Sequence, residues 1–109
     1  MLNPNQQDLI DWLSTTDYPI LSISNLTITS QATAQPFAAN IAGILFLTDG
    51  TNAAALLLNA ASASIILQTS SRYSVTQGTA SKVNIFYVAG ILTLENLTTT
   101  DLTFGIRVL

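Results

Sequence analysis

The 109-residue chain contains neither cysteine nor histidine. Within one chain this excludes zinc fingers, iron–sulfur centres, disulfide scaffolds, thiol nucleophiles and Ser-His-Asp triads, each of which needs a thiolate or an imidazole. Positive charge is almost as scarce: Arg72, Lys82 and Arg107 are the only cations, and the net charge is -3. Three scattered cations cannot neutralise a phosphate track, so nucleic acid is not an expected partner. Charged residues make up 8% of the sequence, against about 25% in ordinary soluble domains. Ser, Thr, Asn and Gln carry the polarity instead.

Long hydrophobic runs are missing too. The most apolar stretch, 53–67, is broken by Asn59, Ser62 and Ser64, which leaves no span of about 20 apolar residues for a membrane helix; no membrane partner is expected. The opening MLNPNQQDLIDW carries Asp8 and Asp11 where a secretory signal would be basic, so no signal peptide is expected. A chain without thiols is indifferent to redox compartment. What is present is a normal apolar fraction of 49%, which argues against disorder and for one domain with a modest core.

Asn3, Pro4 and Asp8 suit the start of a helix, and Leu9, Trp12 and Leu13 fall on one face at i, i+3, i+4. A short helix is predicted over 3 to about 14, stopped by Ser14-Thr15-Thr16-Asp17, in an arm over 1–18 that the extended Tyr18-Pro19 step separates from a β domain over 19–109. In 20–30, Leu21 and Ile23 share one parity and Leu26 and Ile28 the other, which predicts a bulge or a strand switch near Ser24-Asn25. A polar connection is expected over 31–36, a strand over 41–48, and a hairpin turn at Asp49-Gly50 leading into 53–58. The Ala-rich 53–63 also has helix propensity, but the turn favours a strand. Further along, Ala63, Ile65 and Leu67 alternate with Ser64, Ile66 and Gln68, and Tyr73 and Val75 alternate with Ser74 and Thr76. The run 82–88 is apolar on both faces, as in a central strand. Ala89-Gly90 then turns the chain into 91–96. The last strand, 101–109, places Leu102, Phe104, Ile106 and Val108 inward. Seven or eight short strands with frequent turns predict an all-β β-sandwich, jelly-roll-like, with a short N-terminal helical arm.

Candidate chemistry is thin. Asp8, Asp11, Asp17, Asp49, Glu95 and Asp101 are the carboxylates; three lie in the arm and Asp favours caps and turns, so a glycosidase pair is not expected. Asp49-Gly50-Thr51-Asn52 is a fragment of a calcium loop and reads better as a hairpin turn. The sequons at Asn25 and Asn96 arise readily in a chain rich in Asn and Thr. Tyr18, Tyr73 and Tyr87 are the candidates for a sugar-stacking platform, with packing as the simpler role. No catalytic residue, metal or cofactor is expected. The low charge is the remaining anomaly, and it points to a surface covered by other subunits, the alternative being an unusual monomer solvated by its Thr and Ser side chains.

The C-terminal third adds a resemblance. The lead-in Gly78-Thr79-Ala80-Ser81-Lys82, the strand Val83-Asn84-Ile85-Phe86-Tyr87, a Gly turn and an amphipathic last strand resemble small virion proteins of tailed bacteriophages. These are the capsid decoration (cement) and head-fibre proteins; Thr98-Thr99-Thr100 stands where such hairpins would carry Asn or Gly. The resemblance implies a homotrimeric structural protein on the outer capsid surface of the virion, with the major capsid protein as partner. The arm residues Leu9, Trp12 and Leu13 are then the expected partner-binding residues, docking on a neighbouring subunit or on the shell; the other possibility is that they cover their own sheet. A fibre-tip or adhesin module that binds host glycans, and a monomeric piece of a larger fibre, are the rival readings.

Overall fold

The computed structural model describes residues 21–37 and 40–109; the predicted arm over 1–18 lies outside them. Nine strands run in order through the described residues: β1 (Leu21–Ile28), β2 (Ala32–Ala34), β3 (Ala42–Thr48), β4 (Ala53–Asn59), β5 (Ala63–Gln68), β6 (Tyr73–Ser74), β7 (Val83–Val88), β8 (Ile91–Asn96) and β9 (Leu102–Val108). They form a five-stranded sheet in the order β1-β9-β3-β4-β5 and a four-stranded sheet in the order β2-β8-β7-β6. All pairings are antiparallel except the short β6–β7 bridge. The all-β expectation is met by this two-sheet, sandwich-like arrangement.

The period-2 patterns explain the core. Leu45, Leu47, Leu56, Leu58, Phe104, Ile106 and Val108 of the larger sheet join Val83, Ile85, Leu92 and Leu94 of the smaller one in a single buried cluster. Each such side chain contributes about 1.5–3 kcal/mol on leaving water. The expected bulge in β1 is present as a register shift between Ile23 and Leu26. It adds the residue that brings Leu21, Ile23, Leu26 and Ile28 all against the core, which resolves the parity slip in the sequence. The Ala-rich 53–59 is a strand, as the turn before it requires. That turn is built around Asp49, whose Oδ1 accepts from the backbone N–H groups of Thr51 and Asn52 at 3.0 and 2.8 Å.

Three local expectations need correction. The connection over 31–36 contains β2, which pairs Ala32, Thr33 and Ala34 with Asn96, Glu95 and Leu94; three residues are too short to show a period. Leu67 does not share a face with Ala63 and Ile65. Leu56 pairs with Ile65 and Ala55 with Leu67, so Ile66 is an extra residue in β5 and Leu67 is turned out to 70% exposure. The alternation through Tyr73 and Val75 stops at Ser74. Beyond it the chain turns, with the Thr79 N–H donating to the Thr76 carbonyl, and crosses the outer side of the smaller sheet. There Gly78 N–H donates to Glu95 Oε1 at 2.8 Å, and Asn84 Nδ2 donates to Glu95 Oε1 and to the Thr79 carbonyl at 3.0 Å.

Gly43 shows how tightly the end of the larger sheet is built. Its φ is +130°, and a Cβ there would lie 2.1 Å from the Leu109 carbonyl oxygen, which accepts from Ile44 N–H. Gly43→Ala is expected to cost about 2 kcal/mol or more and to lower the melting temperature by roughly 10 °C. At Gly50 (φ +90°) nothing lies within 4 Å of an added Cβ, so Gly50→Ala is expected to cost only the backbone strain, about 1 kcal/mol. Thermal melts of the two variants side by side check the difference.

Candidate functional site

The residues that stand out lie on a surface, the outer face of the five-stranded sheet. The register places Phe46 opposite both Ala55 and Arg107, Ile44 opposite Leu57, Thr48 opposite Ala53 and Gly105, and Ala55 opposite Leu67. Alternation therefore turns Ile44, Phe46, Leu57 and Leu67 outward together. Among the described residues, five of the eight large hydrophobics with high exposure, these four and Ile66, belong to β3, β4 and β5. Arg107 is the only charged residue in the five strands of this sheet.

The face has relief. Phe46 forms a ridge between two shallow apolar grooves, one of about 320 Å³ bordered by Ile23, Gly105 and Arg107, the other of about 230 Å³ bordered by Ala55 and Leu67. Small residues at 53, 55 and 105 leave the grooves open, because nothing beyond Cβ rises from those positions. A flat apolar ligand or side chain fits such a surface; its hydrogen-bonding side chains are few, Ser22, Thr48 and Arg107 along the first groove and Gln68 and Thr69 along the second.

The edge beside it is equally bare. β5, one of the sheet's two edge strands, reads Ala-Ser-Ile-Ile-Leu-Gln. It carries none of the charges or prolines that ordinarily discourage strand-to-strand addition, and Ile66 and Leu67 are well exposed.

The residues considered for chemistry go elsewhere. Tyr73 is buried and its phenol donates to the Asn52 carbonyl at 2.9 Å. Burial, and then the negative charge of Asp49, hold that phenol protonated well above the ordinary tyrosine range. Tyr87 is half-buried, with its hydroxyl donating to the Ile41 carbonyl, and burial raises its phenol as well. Neither offers a free stacking platform, and Tyr18 lies outside the described residues. The described carboxylates hold loops: Asp49 organises its turn with Arg72 3.8 Å away, Glu95 holds the crossing segment, and Asp101 accepts from Ser30 N–H at 2.8 Å. Of the two sequon asparagines, Asn25 is exposed in β1 and Asn96 is fully buried. Leu9, Trp12 and Leu13 lie outside the described residues.

Sequence reasoning missed the outer face. A signal for it exists: 44–47, 54–58 and 65–67 are apolar at both parities, the pattern recognised only in 82–88. Comparison of the chain with protein-family models, with curated proteins and with solved structures finds no match.

Proposed function

We propose that the chain is a non-enzymatic virion structural protein of the capsid decoration type, a jelly-roll-like β-sandwich acting as a homotrimer. Its place is the outer surface of a tailed-phage capsid, where it strengthens contacts between neighbouring capsomers through the major capsid protein. The observation that carries this reading is the five-stranded sheet, whose strands hold Arg107 as their one charge and whose β5 edge, unpaired among the described residues, exposes Ile66 and Leu67. Such an edge is suited to burial against another copy. β1 and β5 are unlike edges on opposite sides of the sheet, so joining one to the other is a heterologous contact, the kind that closes rings. Each contact with the shell then gains from the effective concentration that three linked copies supply. The resemblance of Gly78–Leu109 to head decoration proteins supports the same reading.

Light scattering at micromolar concentration is expected to give three times the chain mass of 11.6 kDa. Ile66→Lys, which puts a charge on the exposed edge, is expected to return a folded monomer, because a desolvated ammonium without a partner costs several kcal/mol. A wild-type mass near 11.6 kDa overturns the homotrimer. The glycan-binding reading has less support, since the Tyr73 and Tyr87 hydroxyls are both engaged with backbone carbonyls; a glycan array is expected to be blank.

A further inference from the structure

We infer that the cavity between the β5–β6, β6–β7 and β8–β9 loops binds a phosphate group, free or as the ester of a small polar molecule, held by Arg72 and Lys82. The cavity has a volume of about 730 Å³, ordinary for a small-molecule site. It shares no lining residue with the two grooves on the outer sheet face. The inference goes beyond the structural role proposed above and does not depend on copies associating.

Strand register builds the site. Arg72 and Lys82 are ten residues apart in the sequence, but the parallel bridge sets Tyr73 opposite Val83 and Ser74 opposite Asn84. Val83 N–H donates to the Arg72 carbonyl at 2.9 Å, so the backbones of Arg72 and Lys82 are neighbours at roughly one strand spacing, about 4.8 Å. Tyr73 and Val83 are packed into the core. Alternation sends Arg72 and Lys82 to the other side, where both line the cavity. Two of the chain's three cations thus face one space, and like charges this close repel unless an anion lies between them. Buried Asp49, with Oδ2 3.8 Å from Arg72 Nε, offsets one of them; among the described residues Lys82 makes no ion pair. Asp101, the carboxylate next to Thr100, is turned to Ser30 N–H at 2.8 Å and does not line the cavity. One anionic group answers the charge that is left, whereas a nucleic-acid backbone needs many more cations.

The remaining walls supply hydroxyl donors. Leu97 N–H donates to the Lys82 carbonyl at 2.9 Å, which brings the exposed Thr99 and Thr100 to the cavity beside the lysine. Ser70 Oγ accepts from Arg72 N–H at 3.2 Å, so its own O–H is left to donate. With Arg72 Nε directed at Asp49, the Nη groups of the guanidinium remain for a ligand, beside the three N–H donors of the Lys82 ammonium. Donors of this number and charge suit a phosphate ester, with about two negative charges and three acceptor oxygens, better than a carboxylate with two. Ala80 is the one apolar side chain lining the cavity. The body that carries the phosphate is therefore polar, and a lipid tail or an aromatic ring finds nothing to pack on.

The test follows backbone amide chemical shifts of the full chain while inorganic phosphate or glycerol 3-phosphate is added at millimolar concentration. Shifts are expected at 70–72, 81–82 and 98–100. Lys82→Met is expected to weaken binding about tenfold, the loss of one charge-assisted contact, and Lys82→Arg to keep most of it. Arg107→Met makes the same change of net charge at an exposed position in β9 and is expected to leave the affinity as it is. Tighter binding of glycerol 3-phosphate than of inorganic phosphate supports the site with an ester as its ligand; equal affinity supports it with free phosphate. Wild-type amides at these positions that neither probe moves overturn the assignment. Equal weakening by Lys82→Met and Arg107→Met also overturns it, since net charge alone would then account for the binding. So does acetate that binds as tightly as phosphate, because the site would then not select a phosphate group.

Discussion

Phe104→Asp is expected to abolish the native fold, while Thr103→Asp leaves it standing. Phe104 is 0% exposed in the middle of β9, a central strand with β1 on one side and β3 on the other. Replacing it removes a large apolar side chain, about 3–5 kcal/mol with the cavity left behind. It also places a carboxyl among Leu and Ile side chains with no partner, several kcal/mol more by usual magnitudes. Their sum is comparable to the whole stability of a small domain, about 5–15 kcal/mol. Thr103 points the other way, exposed, with its hydroxyl 2.8 Å from that of Thr27 across the strand pair. Losing that exposed hydrogen bond costs about 1 kcal/mol. Soluble yield and thermal melts separate the two variants, and equal melting temperatures would show the inner and outer faces of β9 to be wrongly assigned.

That contrast was legible in the sequence because β9 alternates without interruption, so one choice of parity decides every side chain in it. The β1 bulge was legible for the same reason in reverse: Leu21 and Ile23 against Leu26 and Ile28 cannot share a face unless a residue is inserted between them. The β5 bulge was not. Ile65, Ile66 and Leu67 are all apolar, so no parity is violated when the register shifts at Ile66. Partners were hidden as well, since nothing local in 102–108 says that β9 returns to lie between β1 and β3. The candidate surface was hidden by a habit of reading. Apolar residues at both parities suggest a strand buried on both faces, whereas β3 and β4 are buried on one face and bare on the other among the described residues.

Asn96 is where a local motif conceals a long-range one, and Asn96→Asp is the second substitution expected to have a large effect. Read as Asn-Leu-Thr, residues 96–98 are a glycosylation sequon. In the fold Asn96 is 0% exposed. Its Nδ2 donates to the Ile28 and Thr100 carbonyls, each at 2.9 Å, and its Oδ1 accepts from Thr98 N–H at 3.0 Å and from the Thr98 hydroxyl. One amide thus ties the end of β1 in the larger sheet to β8 in the smaller one and to the loop before β9. Asp has the same shape but replaces two donors with a carboxylate oxygen facing two carbonyls. The expected cost is about 3–5 kcal/mol, a melting temperature lower by roughly 15 °C or more. The sign of the pH dependence follows from the same contacts. A carboxyl in that setting is held above its unfolded value of about 4, so the folded variant binds the extra proton first and part of the lost stability returns as pH falls towards that value. Asn25→Asp, at an exposed position in β1, is expected to shift the melting temperature by only a few degrees. Melts of both variants at neutral pH and near pH 4 test the argument, and an Asn96→Asp protein that melts with the wild type would remove Asn96 as the tie between the sheets.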